Sequence, residues 1–298
     1  MELNFKNIEL ADVVPYMEHW EETDQQASDY SFPILWGWAQ DYGYQTAVEK
    51  ESGLFWIRQT VPDIYNLAPI GDWQRDTWEQ LITERFGKKC EFWLVPERLL
   101  DVWKAQFGDR LEAEDDRGNW EYLYHIADLA SLAGNKYMRK RNRVNQFRRR
   151  YDYVYKPITH DVIPEVIRFQ EAWCQANDCG TTPGLLHEHH GILRILNHWC
   201  EIPHMRGGLI EVGGRIVAYT IGELSESMLI VHFEKASLEY SAAYQAINQE
   251  FLAHILEEKP EIKIVNREED MNDPGLRDAK MSYLPVDFIK KYHVKIKL

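Results

Sequence analysis

The sequence predicts an α/β chain made of two related units, each a mixed central sheet flanked by helices. Three observations predict it. Residues 151–298 read in the order β-α-α-β-β-β-α-β-α-β. Residues 1–150 carry a less distinct form of the same order. A hydrophobic content of 45% with 13% aromatic residues is enough to fill packed cores, where a disordered chain would be poor in aromatics. The expected boundary lies at residue 150, giving domains 1–150 and 151–298, each of ordinary domain size.

The elements follow from local pattern. Residues 5–20 predict a short strand and a helix with Pro15 in its first turn, where the missing N–H costs nothing. The aromatic stretch "SFPILWGWAQDYG" ends in a glycine turn, and short strands follow at Thr46–Glu49 and Leu54–Gln59. "LAPIGDW" is a loop. Trp78, Leu81, Ile82 and Phe86 recur at helical spacing within residues 72–86. "CEFWLVP" predicts a buried strand, Pro96–Phe107 a helix, and "WEYLYHIADLASLAG" a strand with a helical turn. Tyr137, Val144, Phe147 and Tyr151 then mark an amphipathic helix that Asn135 can cap. "YDYVYKPI" is a strand, followed by helices over residues 162–176 and 185–199. "GGLIEVGGRIVAYTIGEL" alternates on both sides of Gly213–Gly214, which predicts a hairpin. "SMLIVHFEKA" is a strand and residues 240–256 an amphipathic helix. "EIKIVN" and the closing "DFIKKYHVKIKL" are the last strands.

Composition also excludes functions. No apolar run reaches the roughly 18 residues of a membrane helix, and "MELNFKNIEL" lacks the basic-then-apolar pattern of a secretory signal. Cys90, Cys174, Cys179 and Cys200 have no CxxC spacing, so reduced thiols and a cytoplasmic location are expected. "HEHH" at His187–His190 has Gly191 where a zinc-binding HExxH needs its second histidine. No metal site is expected, and no GxSxG, Walker-type or GxGxxG motif occurs.

Charge is distributed unevenly. The chain carries a net −14, yet eight of the fifteen residues from Lys136 to Arg150 are Lys or Arg and none is acidic. Like charges three or four apart on a helix cost a few tenths of a kcal/mol each, so a purely structural helix has no reason to accept them. Lys136, Arg139, Lys140, Arg141, Arg143 and Arg150 are therefore expected to bind a polyanion.

Four stretches, "LAGNKYMRKRNRVNQF", "HFEKASLEYSAAYQAINQEF", "VNREEDMNDPGLRDAKMSYLP" and "FIKKYHV", resemble the soluble C-terminal domain of phosphatidylglycerol lysyltransferase and its stand-alone relatives. The element order of the second half resembles the Gcn5-related N-acetyltransferase fold. The resemblance covers essentially the whole chain and implies two tandem acyl-CoA N-acyltransferase-like domains. It implies aminoacyl transfer from aminoacyl-tRNA, as in the peptidoglycan bridge-forming Fem transferases, to a small-molecule or lipid acceptor. Two departures stand out. The membrane-embedded half of the lysyltransferase is absent, and Asn272 stands where the family usually has Gly. Asn tolerates the left-handed backbone such a turn requires.

The resemblance also assigns sites. In this fold the fourth and fifth strands splay apart and open the acyl-transfer site, which would place Glu234 and Asn266 there as catalytic residues, with Glu234 on the same strand face as His232. Glu268, Glu269 and Asp270 would bind a positively charged substrate group. Arg277 and Lys280, on one helix face, would clamp a phosphate or ribose or pair with the acidic run. Acetyltransferases cradle coenzyme A pyrophosphate with a Gly-rich loop after the fourth strand. Here no Gly occurs between Gly222 and Gly275. A coenzyme A donor is thus disfavoured and no cofactor is expected. An acyl-CoA-dependent N-acyltransferase and a non-catalytic polyanion-binding protein are the alternative readings.

Overall fold

A computed structural model describes residues 3–49 and 52–298. They form two compact units. The first runs to Glu121 and takes back Glu269–Pro274 and Phe288–Leu298; the second holds Tyr122–Glu268 and Gly275–Asp287. The chain thus divides elsewhere than at residue 150. Strand pairing and packing, which sequence order does not show, decide the division.

The first unit has two small sheets. Lys6–Asn7, Gln45–Glu49, Leu54–Gln59 and Tyr65–Asn66 form one in that order, and Lys89–Pro96, Lys291–Lys297 and Leu111–Asp115 form the other. The C-terminal strand is central to the second of these and pairs antiparallel on both sides. This corrects the expectation that "DFIKKYHVKIKL" completes the second half of the chain. Trp56, Trp78, Trp103 and Phe92 fill the core beside these strands, with Trp78 and Trp103 edge-on at 5.5 Å. Such aromatic pairs add about a kcal/mol beyond their area. Lys291 is fully buried, yet it reaches Asp29 and Glu121, the latter at 2.6 Å. Glu121 also accepts the Ser28 N–H and hydroxyl, so the buried charges are partnered.

The second unit is one sheet with helices on both faces. Its strand order is Asp287–Ile289 at the edge, where the chain leaves the unit, then Glu121–His125, Ile264–Asn266, Met228–Ala236, Arg215–Leu224, Met205–Val212 and Tyr153–Pro157. Met228–Ala236 and Ile264–Asn266 are parallel neighbours, as a helical crossover requires. That crossover is the long helix Ala243–Glu258. Helices Ile163–Ala176 and Pro183–Asn197 cover the opposite face, through Gln170 on Tyr219 and Glu188 on Lys235.

The basic helix, Met138–Arg150, lies in this second unit rather than ending the first. The predicted stripe is the reason. Tyr137, Val144 and Phe147 are buried, and Phe147 joins Ile210, Val217, Ala218, Ala243 and Ile247 in one cluster. The structure also corrects the reading of the cysteines. The end of helix Ile163–Ala176 and the turn Cys179–Thr181 bring Cys174 and Cys179 to a Cα separation of 5.2 Å, and the two are disulfide-bonded. Cys90 and Cys200 are free.

Candidate functional site

The site starts from where two strands stop pairing. Met228–Ala236 runs beside Ile264–Asn266 only from Met228 to Ile230; beyond Ile230 and Asn266 it continues without that partner. The strand pairing ends there, and Glu234 lies on the stretch of Met228–Ala236 beyond it. Its carboxylate meets the Arg267 guanidinium at 3.2 Å and accepts the Asn248 side-chain N–H at 3.1 Å. The Glu234 and Arg267 side chains are 14% and 15% exposed, so the pair is shielded but reachable.

A bulge sets the orientation. The pairing of Arg215–Leu224 with Met228–Ala236 slips by one between Ile221 and Gly222, leaving His232 as the extra residue. A side chain on Gly222 would meet the Ile230 carbonyl oxygen at 2.5 Å, so only glycine lets the strands approach there. The extra residue breaks the alternation. Glu234 turns to helix Ala243–Glu258, while His232 turns to Glu223, which shares Tyr219's face of its strand. Glu234 and His232 therefore lie on opposite faces, correcting the expectation that they share one.

Tyr283 packs the Glu234 face from below. The Arg267 guanidinium stands 5.0 Å above its ring centre and the Lys140 ammonium 3.9 Å. Burial works against the charge of Arg267, but Glu234 and the hydroxyls of Tyr283 and Tyr124 outweigh it and raise its pKa. Lys140 is lowered, first by burial and then by Arg267 nearby. Burial pushes the Tyr283 hydroxyl up to about 12, against the pull of Arg267. Lys280 donates to the Arg267 carbonyl and lies over the Tyr122 ring. Of these groups three are cations and one is an anion. Such a set can hold a phosphate or stabilise an oxyanion.

The other face holds His232 between two carboxylates. Its Nδ1 lies 2.8 Å from Glu268 and its Nε2 3.4 Å from Glu223. Burial disfavours its charge, but the bonds to Glu223 and Glu268 prevail and raise its pKa to about 9. At neutral pH it is an imidazolium.

The predicted residues separate accordingly. Glu234, Lys280 and Lys140 stand around Arg267 and Tyr283. Arg277 is half-buried on helix Pro274–Met281. Asn266 is fully buried, and its amide oxygen accepts the Glu268 N–H, supporting the left-handed backbone at Glu268. Glu268 serves His232. Glu269 belongs to the first unit, as does Asp270, which is fully buried, paired with Arg117 at 3.0 Å and accepting the Asn272 N–H. The acidic run is thus split and not one substrate-facing cluster. Asn272 has φ +59°, the left-handed angle the turn requires, and its side chain occupies the space above Gly118.

Just before the basic helix Lys136 pairs with Asp128 at 2.7 Å, and on the helix Arg141 donates to the carbonyls of Leu132 and Gly134. Arg139, Arg143 and Arg150 are exposed. Sequence reasoning missed Arg267, Asn248, Tyr283, His232 and Glu223. The available signal was Arg267 itself, one residue past a strand end that should open a cleft. Among the described residues, no group of three or more His, Cys, Asp or Glu could hold a metal ion, and no helix is long and apolar enough to cross a membrane.

Comparison with known proteins shows the fold and the family. A conserved protein of unknown function from Bacteroides thetaiotaomicron is 30% identical, with a TM-score of 0.86 over 99% of this chain and 100% of its own. The C-terminal domain of a putative lysylphosphatidylglycerol synthetase from Agrobacterium fabrum is 13% identical, with a TM-score of 0.68 over 97% of this chain and 93% of its own. An acetyltransferase of the GNAT family from Colwellia psychrerythraea shares the fold at 12% identity and a TM-score of 0.50, over 99% of each chain. An uncharacterized protein of Mycoplasmoides gallisepticum is 21% identical over 178 residues, 59% of this chain, and the match spans 56% of that relative's length. Residues 20–295 match the family described as phosphatidylglycerol lysyltransferase, C-terminal. With the acetyltransferase-like fold in place, the chain belongs to the phosphatidylglycerol lysyltransferase C-terminal family.

Proposed function

We propose that this protein is a cytoplasmic aminoacyltransferase, moving an aminoacyl group from aminoacyl-tRNA to an amine or hydroxyl acceptor, a small molecule or a lipid. The observation that carries the reading is the Glu234–Arg267 pair where the two strands stop pairing. The acceptor nitrogen or oxygen attacks the ester carbonyl carbon of the donor. A bond forms there, the ester C–O bond to the ribose breaks, and the acceptor's proton goes to the departing ribose oxygen. No covalent enzyme intermediate is needed. Arg267 supplies positive charge to the developing oxyanion. Glu234, fixed by Asn248, takes the acceptor's proton and relays it to the departing ribose oxygen, or else holds the ammonium of the aminoacyl group. Asn266 and Glu268 position the loop that carries Arg267. Lys280 and Arg277 suit the donor's terminal phosphate or ribose.

The start of helix Ala243–Glu258 favours this donor over coenzyme A. Ala242 has φ +68°, and the Ala243 N–H is taken by the Tyr240 carbonyl. A glycine-lined pyrophosphate cradle would leave that approach open. Tight binding of free coenzyme A by calorimetry would instead promote the acyl-CoA reading.

The test is incubation with charged tRNA pools and a cell extract, with mass analysis of the products. Glu234→Gln should cut turnover on the order of 10²-fold if Glu234 takes the proton. A raised KM with turnover kept would assign it to substrate fixation. Full activity with both parameters unchanged removes Glu234 from the site.

A further inference from the structure

Arg267 and Glu268 are consecutive, and their side chains leave on opposite sides. Arg267 goes to Glu234 and Glu268 to His232. The main chain between them is anchored to Tyr122, whose carbonyl accepts the Arg267 N–H and whose N–H donates to the Glu268 carbonyl. Glu268 has φ +57°. An L residue at that angle is strained and keeps it only where its surroundings leave no alternative. Among the described residues the Glu268 carboxylate takes its hydrogen bond from His232 alone. The other partner of His232 is Glu223, whose second carboxylate oxygen is buried and has no donor among the described residues. Two carboxylates thus reach His232, one from the neighbouring strand and one from the segment after Ile264–Asn266. Helix Ile163–Ala176, which covers this face, buries only uncharged side chains. Helix Pro183–Asn197 carries half-buried His187, Glu188, His189 and Arg194, with Glu188 paired to Lys235 and His189 against Gln170.

We propose that His232, as an imidazolium, is a positioning residue for Arg267: it grips Glu268 from the opposite face of the sheet and so fixes the guanidinium beside Glu234. The proposal rests on the aminoacyltransferase reading for what Arg267 does, and adds that a proton on His232 governs the site. The chemistry of the ring carries it. An imidazolium donates from both nitrogens and satisfies both carboxylates, whereas neutral imidazole donates from one and turns a lone pair toward the other. Loss of the proton therefore leaves one carboxylate facing an acceptor. Glu268 is the one that moves, because its side chain is 20% exposed against 1% for Glu223 and has water to move into. Its release removes the side-chain hold on a strained backbone next to Arg267. Burial disfavours the proton, but the two carboxylates raise the His232 pKa to about 9. The grip therefore holds through neutral pH and is lost as pH climbs through about 9.

The experiment titrates the full chain, isotope-labelled in histidine and arginine, between pH 6 and pH 10.5. NMR follows the ring nitrogens of His232 through their carbon-bound protons, and the Cζ shift of Arg267. Each signal is identified by its loss in H232Q or R267K. Both ring nitrogens should stay protonated to about pH 9, and the Arg267 shift should move with the same midpoint. H232Q should hold the Arg267 shift constant across that range. E268Q should lower the His232 midpoint by at least one pH unit, which keeps the test decisive if H232Q does not fold. A ring that titrates near 6.5, an Arg267 signal that ignores the titration, or an unchanged midpoint in E268Q overturns the proposal. In the transfer assay H232Q should lower kcat about tenfold with the KM for charged tRNA nearly kept. A raised KM with kcat kept overturns the positioning role. Coupled titration without any transfer leaves this proposal standing and sinks the reading it rests on, whereas transfer with an uncoupled Arg267 sinks this proposal alone.

Discussion

His232 shows how much a single residue position can conceal. It lies in the middle of a strand whose alternation looks regular, and its partners Glu223 and Glu268 are 9 and 36 residues away. Nothing local announces a buried imidazolium. Glu234 was legible because it is the one carboxylate on the strand Met228–Ala236, near the end beyond its pairing with Ile264–Asn266. Arg267, 33 residues further on, could be matched to it only once the strand register was known. The consequence for His232 is measurable. Its folded pKa, about 9, lies above the 6.5 of an unperturbed imidazole. The folded state therefore holds a proton that the unfolded state releases as pH rises. This stabilisation is complete below about 6.5 and is lost as pH climbs through about 9, a change on the order of 3 kcal/mol. Urea unfolding between pH 6 and pH 9.5 should show that fall in the native protein. His232→Gln should be less stable at pH 6 and nearly flat across the window. A variant that keeps the native slope would place the titrating group elsewhere.

Helices announced themselves better than strand partners did. The stripe of Tyr137, Val144 and Phe147 is an interval of three to seven residues, visible in the sequence, and these side chains are the buried ones. The slip at Ile221–Gly222 has no such signature, because a bulge is a relation between two strands rather than a pattern in one. The loop before helix Ala243–Glu258 lies between these cases. Its lack of glycine is plain from sequence, but its geometry is not. Ala242 adopts the left-handed angle that glycine would take without cost, while an L side chain there is strained by about 1–2 kcal/mol. Ala242→Gly relieves that strain but increases the freedom of the unfolded chain. The expected net result is a gain of about 0.5–1 kcal/mol, seen as a higher urea midpoint with the same slope. A loss of stability would mean that the Ala242 methyl contributes packing that outweighs the backbone strain.

At the scale of the whole chain, sequence order and spatial assembly diverge. The second half contains its elements in the predicted order, yet two strands take places that linear reading does not give them. Glu121–His125 pairs antiparallel with Ile264–Asn266, and Lys291–Lys297 pairs with Lys89–Pro96 and Leu111–Asp115. Both exchanges link segments more than a hundred residues apart. Hydrophobic alternation marks a strand but not its neighbour, so neither could be read in advance. The divergence predicts which fragments fold. Residues 151–298 would lack the strand that covers Ile264–Asn266 and the helix whose Phe147 closes the cluster with Ile210, Ala243 and Ile247. They would also carry a C-terminal strand without its two partners. Unpaired edges of that kind associate with other chains. This fragment should elute as an aggregate and melt without a cooperative transition. Residues 122–287 retain nearly all of the second sheet and every helix packed on it. That fragment should be monomeric and should unfold in one sharp urea transition. If 151–298 proves to be the folded, monomeric piece and 122–287 does not, the strand assignments at Glu121–His125 and Lys291–Lys297 are wrong.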